Sequence, residues 1–179
     1  MSKTRNIFQR VEKKYLLSGE IYHQLLQRIQ PYVTSDEYGF YSIYNIYYDT
    51  VQYDLIRHSI EKPSYKEKLR LRSYQIPDDN DTVFLELKKK FNGVVYKRRI
   101  SLTLKEAEDY LERHIKPDLS CQIFNEIDYF VNFYNPESKL FLAYDRAAFT
   151  GMQDPCVRIT FDHNIRSRPC DLSLRKGDY

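Results

Sequence analysis

From Tyr65 to Asp162 the chain sets charged residues at every second position, again and again, against neighbours that are mostly apolar. On a strand, adjacent side chains point to opposite faces and residues two apart share one, so each of these runs reads as a strand with two unlike faces. Lys68, Arg70 and Arg72 share a face against Leu69 and Leu71, and Glu86 and Lys88 oppose Leu85 and Leu87. Lys97 and Arg99 stand against Arg98 and Ile100; Tyr144 pairs with Arg146; Arg158, Thr160 and Asp162 oppose Val157, Ile159 and Phe161. Near the amino end Arg10, Glu12 and Lys14 alternate in the same way. The pattern asks for an antiparallel sheet with a charged face.

The surrounding segments supply the rest of an α+β chain. Ile7 to Tyr15 reads as a strand, and Ser18 caps an amphipathic helix through Ile21, Leu25, Leu26 and Ile29 that Pro31 stops. Ile43 to Tyr48 is aromatic and β-branched and reads as a strand, followed by a short helix within Val51 to Ile60. Three strands follow, Tyr65 to Tyr74, Thr82 to Phe91 and Val94 to Leu102, the last two joined by Asn92-Gly93, a strong hairpin signal. Thr103 and Glu106 form a capping-box pattern before a helix to about Ile115, and Pro117 separates it from a second helix through Ile123, Ile127, Phe130 and Tyr134. Strands over Leu140 to Phe149 and Cys156 to Asp162 complete the reading. Strands in antiparallel neighbours with helices inserted between them point to a barrel-like or tunnel-like sheet.

With 179 residues the chain suits one sizeable core, so a single domain over 1–179 is expected. The net charge of +3 is too small to mark a nucleic-acid-binding protein, and any basic site must come from clustering. Cys121, Cys156 and Cys170 form no C-x-x-C pair and the four histidines show no ligand spacing beside them, which argues against a zinc site or disulfide framework. Lys3 and Arg5 precede no apolar signal region, and no segment approaches the length of a membrane span, so the cytoplasm is the expected location.

Alternating Lys and Arg also occurs on solvated sheet faces, and for any single strand that is the simpler explanation. Across the set, however, Arg is prominent and bases outnumber acids, unlike a solvent face of balanced sign. If the faces converge, their desolvation costs several kcal/mol in order of magnitude unless an anion compensates. Guanidinium forks and mobile ammonium groups suit successive phosphoryl groups of a linear chain. Glu12 and Glu86 then stand out as carboxylates for a divalent ion, or as partners of the adjacent lysines.

Seven segments carry a resemblance: Arg10-Val11-Glu12-Lys13-Lys14-Tyr15, Asn45-Ile46-Tyr47-Tyr48-Asp49-Thr50, Lys68-Leu69-Arg70-Leu71-Arg72, Phe84-Leu85-Glu86-Leu87-Lys88, Tyr96-Lys97-Arg98-Arg99, Tyr144-Asp145-Arg146 and Arg158-Ile159-Thr160-Phe161-Asp162. In order and spacing they resemble the VTC domain family of the triphosphate tunnel metalloenzyme superfamily, which also holds the CYTH-type enzymes. The resemblance implies an antiparallel β-tunnel with helices packed outside. It further implies binding of the ATP triphosphate and of inorganic polyphosphate, and phosphoryl transfer with Mn²⁺ or Mg²⁺. Lys14, Arg70, Arg72 and Lys88 are implied as catalytic, with Arg10, Lys97, Arg99, Tyr144, Arg146 and Arg158 gripping phosphate and Glu12 and Glu86 holding metal.

Family members continue into a last strand bearing an acid-x-Lys motif, and the chain to Tyr179 shows none, so an incomplete carboxyl end is expected. Three readings stay open on the sequence: a polyphosphate polymerase, a hydrolase of tripolyphosphate or nucleoside triphosphate, and a polyphosphate-binding module without catalysis. Nucleic acid is not an expected partner, although Lys, Arg and Tyr together can grip a backbone and stack bases. The P-loop and nucleophile-elbow patterns are absent from the sequence.

Overall fold

The computed structural model describes the backbone of residues 7–10 and the whole of residues 12–178. The chain runs β1 (Ile7–Arg10), α1 (Gly19–Ile29), β2 (Val33–Asp49), α2 (Asp54–Ile60), β3 (Tyr65–Ser73), β4 (Thr82–Phe91), β5 (Val94–Thr103), α3 (Leu104–Arg113), α4 (Gln122–Tyr134), β6 (Glu137–Gly151) and β7 (Arg158–Arg168). Short 3₁₀ turns lie at Gln30–Tyr32 and Leu174–Lys176. The strands form one seven-stranded sheet in the order β1-β5-β4-β3-β2-β6-β7, with every neighbouring pair antiparallel. No pairing joins β1 to β7 among the described residues, so the sheet is not closed by hydrogen bonds.

Local chemistry sets these boundaries. The Ser18 side chain accepts from the Ile21 N–H at the start of α1, and Pro31 follows its end. Thr103 and Glu106 close the capping box of α3, each accepting from the backbone N–H of the other. Asn92 and Gly93 both have positive φ, which a two-residue hairpin between Phe91 and Val94 requires. His114 and Asn135 end α3 and α4 in the left-handed region.

The apolar faces of β3, β4 and β5 make the core. Leu69, Leu85 and Leu87 are wholly buried, and they join one cluster with Leu55 of α2, Leu104, Ala107, Tyr110 and Leu111 of α3, and Phe124, Ile127, Phe130 and Val131 of α4. Each such side chain removed from water contributes about 1.5–3 kcal/mol. Polar ties lock α4 to the same side: Glu126 meets Lys89 and Arg98, and Tyr134 donates to Glu67. On β7, Tyr22 of α1 packs edge-on against Phe161 at 5.0 Å and His163 at 4.7 Å. The helices thus lie outside the charged face, as expected, and no helix among the described residues is long and apolar enough to cross a membrane.

The departures from the expected limits that matter for the site are in β1, β2 and β7. β1 ends at Arg10, and Glu12 to Ser18 has no regular structure. β2 begins at Val33 rather than Ile43, because a register shift between Ser35 and Phe40 lets a turn-like stretch sit inside a strand. There Asp36 accepts from the Tyr38 and Gly39 N–H groups and Gly39 takes φ +60. β7 continues past Asp162 to Arg168 across a second irregularity, at which Asn164 has φ +48.

Candidate functional site

Antiparallel register places the charged residues in rows across the sheet. Tyr47, Arg70, Glu86 and Arg99 lie opposite one another on β2, β3, β4 and β5. One step along, Lys68, Lys88 and Lys97 form a lateral row; one step the other way lie Asn45, Arg72 and Phe84. Like charges directly opposite on neighbouring strands destabilise a sheet, so the lysine row is unfavourable unless something negative shares it. The three strands bring Lys68, Arg70, Arg72, Lys88, Lys97 and Arg99 to one face, and on that face they supply one carboxylate, Glu86.

Glu86 is fully buried and organises this face. Its Oε2 accepts from Arg70 Nε and Nη2, each at 2.7 Å, with Arg72 Nε at 3.9 Å. Its Oε1 accepts from Arg99 Nε at 2.6 Å, from Arg99 Nη2, and from Lys97 Nζ at 2.6 Å. Burial pushes the carboxyl up, and Arg70, Arg72, Lys97 and Arg99 more than offset it, holding the group well below the usual carboxylate range. For Lys97 the balance runs the other way. Burial, with Arg99 and Arg72 nearby, outweighs the attraction of Glu86 and pushes its ammonium down to about 7. Lys68 is likewise lowered, first by burial and then by Lys66, Lys88 and Lys14.

Hydroxyl and amide groups fix the guanidinium planes. Arg70 Nη1 donates to the Tyr47 hydroxyl at 3.0 Å; Arg72 donates through Nε to Asn45 Oδ1 and through Nη2 to the Tyr144 hydroxyl, both at 2.9 Å. Asn45 is oriented in turn by donating to the Leu142 carbonyl at 2.9 Å. Arg99 donates to the Tyr74 hydroxyl at 2.7 Å and lies 4.4 Å from the Phe84 ring centroid. Such a frame leaves little rotamer freedom to be lost when an anion arrives.

The face curls. Lys88 Nζ donates to Glu12 Oε2 at 2.8 Å, bringing the chain after β1 across β5 to β4. Burial tends to raise the Glu12 carboxyl, but Lys88, Lys14 and Arg146 together lower it. Arg146 belongs to β6, at the far side of the sheet order from β1, so the irregular chain after β1 lies over the charged face toward β6. Arg146 itself makes a bidentate pair with Asp162, at 2.6 and 2.8 Å, and lies over the Tyr144 ring at 5.1 Å. Arg158 pairs with Asp36 at 3.0 Å.

The inferred site residues therefore fall into three groups. Arg70, Arg72, Lys97, Arg99 and Tyr144 meet in one hydrogen-bonded cluster around Glu86. Lys88, Lys14 and Glu12 form a neighbouring, more exposed group, while Arg146 and Arg158 pair with acids at the β2, β6 and β7 side. Arg10 lies opposite Val95 on β1, and its side chain is outside the described residues. Tyr47, Tyr74 and Asn45 were not singled out from sequence; only the β2–β3 register reveals Tyr47 beside Arg70 and Asn45 beside Arg72.

The carboxylates differ in their fitness for a metal. Glu86 has both oxygens occupied by Arg and Lys donors, so it could turn to a cation only by releasing them. Glu12 is less buried and held by Lys88, and as one carboxylate beside substrate phosphates it matches the way Mg²⁺ is usually held. Among the described residues no group of three or more His, Cys, Asp and Glu is arranged to hold a metal ion.

A crystal structure from Bacillus halodurans, described as that of a "putative adenylate cyclase", matches with a TM-score of 0.55 at 17% identity, over 89% of this chain and 83% of its own. At that identity the likeness speaks for the fold alone. No curated protein sequence matches the chain. The VTC domain family matches residues 9–178, from the end of β1 past the last 3₁₀ turn and through all the basic strands. The chain that folds into this concave cationic sheet belongs to the VTC domain family.

Proposed function

We propose that the concave face binds linear phosphate chains, the triphosphate of ATP and inorganic polyphosphate, and transfers the terminal phosphoryl group of ATP onto the polyphosphate end. The observation that carries this reading is the ratio of charge around Glu86: four cations from the two flanking strands, Arg70, Arg72, Lys97 and Arg99, share one buried carboxylate. A bound polyphosphate would supply the missing negative charge along the Lys68, Lys88 and Lys97 row. Arg70, Arg72 and Arg99, already oriented by Tyr47, Asn45, Tyr144 and Tyr74, would hold equatorial phosphoryl oxygens.

In the transfer, a terminal oxygen of polyphosphate forms a bond to the γ-phosphorus as the bond from that phosphorus to the bridging oxygen breaks, leaving ADP. Phosphoryl transfer needs little covalent help from a protein, and positioning with charge stabilisation supplies most of the acceleration. Lys14, Lys88 and Lys97 would draw charge from the leaving and entering oxygens. Mn²⁺ or Mg²⁺, when bound, would neutralise charge on the bridging oxygens, with Glu12 as its protein ligand. A cytoplasmic setting fits ATP as donor and the free, exposed Cys121, Cys156 and Cys170.

Binding without catalysis is the second reading, favoured by the full occupancy of Glu86 by its own cations. Incubating the purified chain with ATP and Mn²⁺ separates the outcomes. Growth of long acid-labile chains on a gel supports transfer; orthophosphate release without growth selects hydrolysis. Saturable polyphosphate binding with no turnover selects the binding module, and absence of binding overturns the reading altogether.

A further inference from the structure

One end of the cationic face carries a connected path of aromatic rings. Phe84 and Tyr74 lie with centroids 5.5 Å apart, Tyr74 and Tyr41 at 6.0 Å, and Tyr41 and Tyr38 at 5.9 Å, all near edge-to-face. The path starts at Arg99, whose guanidinium lies 4.4 Å from the Phe84 centroid and 5.8 Å from that of Tyr74. It passes Tyr41, opposite Arg146 in the β2–β6 register, and ends at Tyr38, which is 68% exposed. Phe84 and Tyr41 are part-buried, Tyr74 and Tyr38 are exposed, and none of the four rings belongs to the hydrophobic core.

The outermost ring is held in place. Asp36 Oδ1 accepts from the Tyr38 N–H at 3.2 Å and the Gly39 N–H at 3.1 Å, while Asp36 Oδ2 accepts from Arg158 at 3.0 Å. An ion pair on β7 thus fixes the turn that presents Tyr38. Edge-to-face contacts leave ring faces uncovered, and an exposed face of Tyr beside a phosphate-binding cluster suits a flat, partly apolar group joined to phosphates. A bare phosphate chain has nothing to stack there. The opposite end, around Lys68 and Lys88, has no comparable ring path among the described residues.

We infer that Tyr38, Tyr41 and Tyr74 form a stacking subsite for the base of a nucleoside triphosphate, whose phosphates extend from Arg99 toward Lys97, Lys88 and Lys68. This rests on the phosphate-binding reading above and adds a direction to it: the nucleoside enters at the ring end and the phosphate chain runs toward the lysine row. Base identity matters little to such a platform, since every base has a π-face, so ATP and GTP bind alike.

Calorimetric affinities for ATP and for inorganic tripolyphosphate test the subsite, with wild type, Tyr38→Ala, Tyr38→Phe and the pair Tyr38→Ala with Tyr41→Leu. Stacking strengths of this kind predict that Tyr38→Ala weakens ATP by about five- to tenfold and the pair by more, with tripolyphosphate within about twofold of wild type. Tyr38→Phe, which keeps the ring, retains ATP affinity. Equal weakening of both ligands, or no change in ATP affinity, overturns the base subsite while leaving phosphate binding standing. Failure of wild type to bind either ligand overturns both. Tyr38 is exposed, so the single variant stays interpretable should the double variant fail to fold.

Discussion

Glu86 keeps four cations close together in a place where burial alone would drive them apart. Two Arg and one Lys donate to its oxygens and a third Arg lies at 3.9 Å, so its removal would leave charges buried without compensation. Breaking a buried pair from one side typically costs about 3–5 kcal/mol, and Glu86→Gln is expected to lose that much in urea unfolding at neutral pH. The pH dependence has a definite sign. The folded carboxyl lies below its unfolded value, so its contribution is present above the ordinary Glu range and is lost as pH falls through the lowered folded value. The gap between wild type and Glu86→Gln should therefore narrow on acidification through the lowered folded value. Excess tripolyphosphate should restore part of the lost stability, because it supplies negative charge to the same side chains. Arg72 is buried and bonded to Asn45 and Tyr144, so its replacement by Ala tests the frame as much as the ligand site.

At the scale of elements, helix caps and hairpin turn were readable because they depend on residues three or fewer positions apart. Thr103 with Glu106 and Asn92 with Gly93 behave as their types dictate. Thr103→Ala removes the acceptor for the Glu106 N–H and should lower stability by about 1 kcal/mol in a thermal or urea melt, with tripolyphosphate affinity unchanged. A loss of affinity matching the loss of stability would mean that α3 shapes the groove rather than merely covering the core. The charged faces of β3, β4 and β5 were equally legible, since period-two alternation survives any choice of partner. The first part of β2 was not. Asp36 and Gly39 form a turn within it, and a strand there exists because β6 pairs with it on both sides of a register shift. The same holds for β7 beyond Asp162, where Asn164 interrupts the pattern. Glu86 was visible as an acid out of place, but its partners on the two flanking strands depend on register, which a single sequence does not carry.

At the scale of the molecule, the helices take one side of the sheet and the polyvalent cation cluster takes the other, with the chain after β1 bringing Glu12 within the field of Arg146. The convergence of distant basic segments on one concave surface is the claim on which the functional reading depends. A crystal structure of the protein grown with tripolyphosphate and Mn²⁺ tests it most directly. Phosphate density is expected along the concave face, within hydrogen-bonding reach of Arg70, Arg99, Lys97 and Lys88. Phosphate bound only on the helix-covered side, or no bound phosphate at saturating concentration, would contradict it.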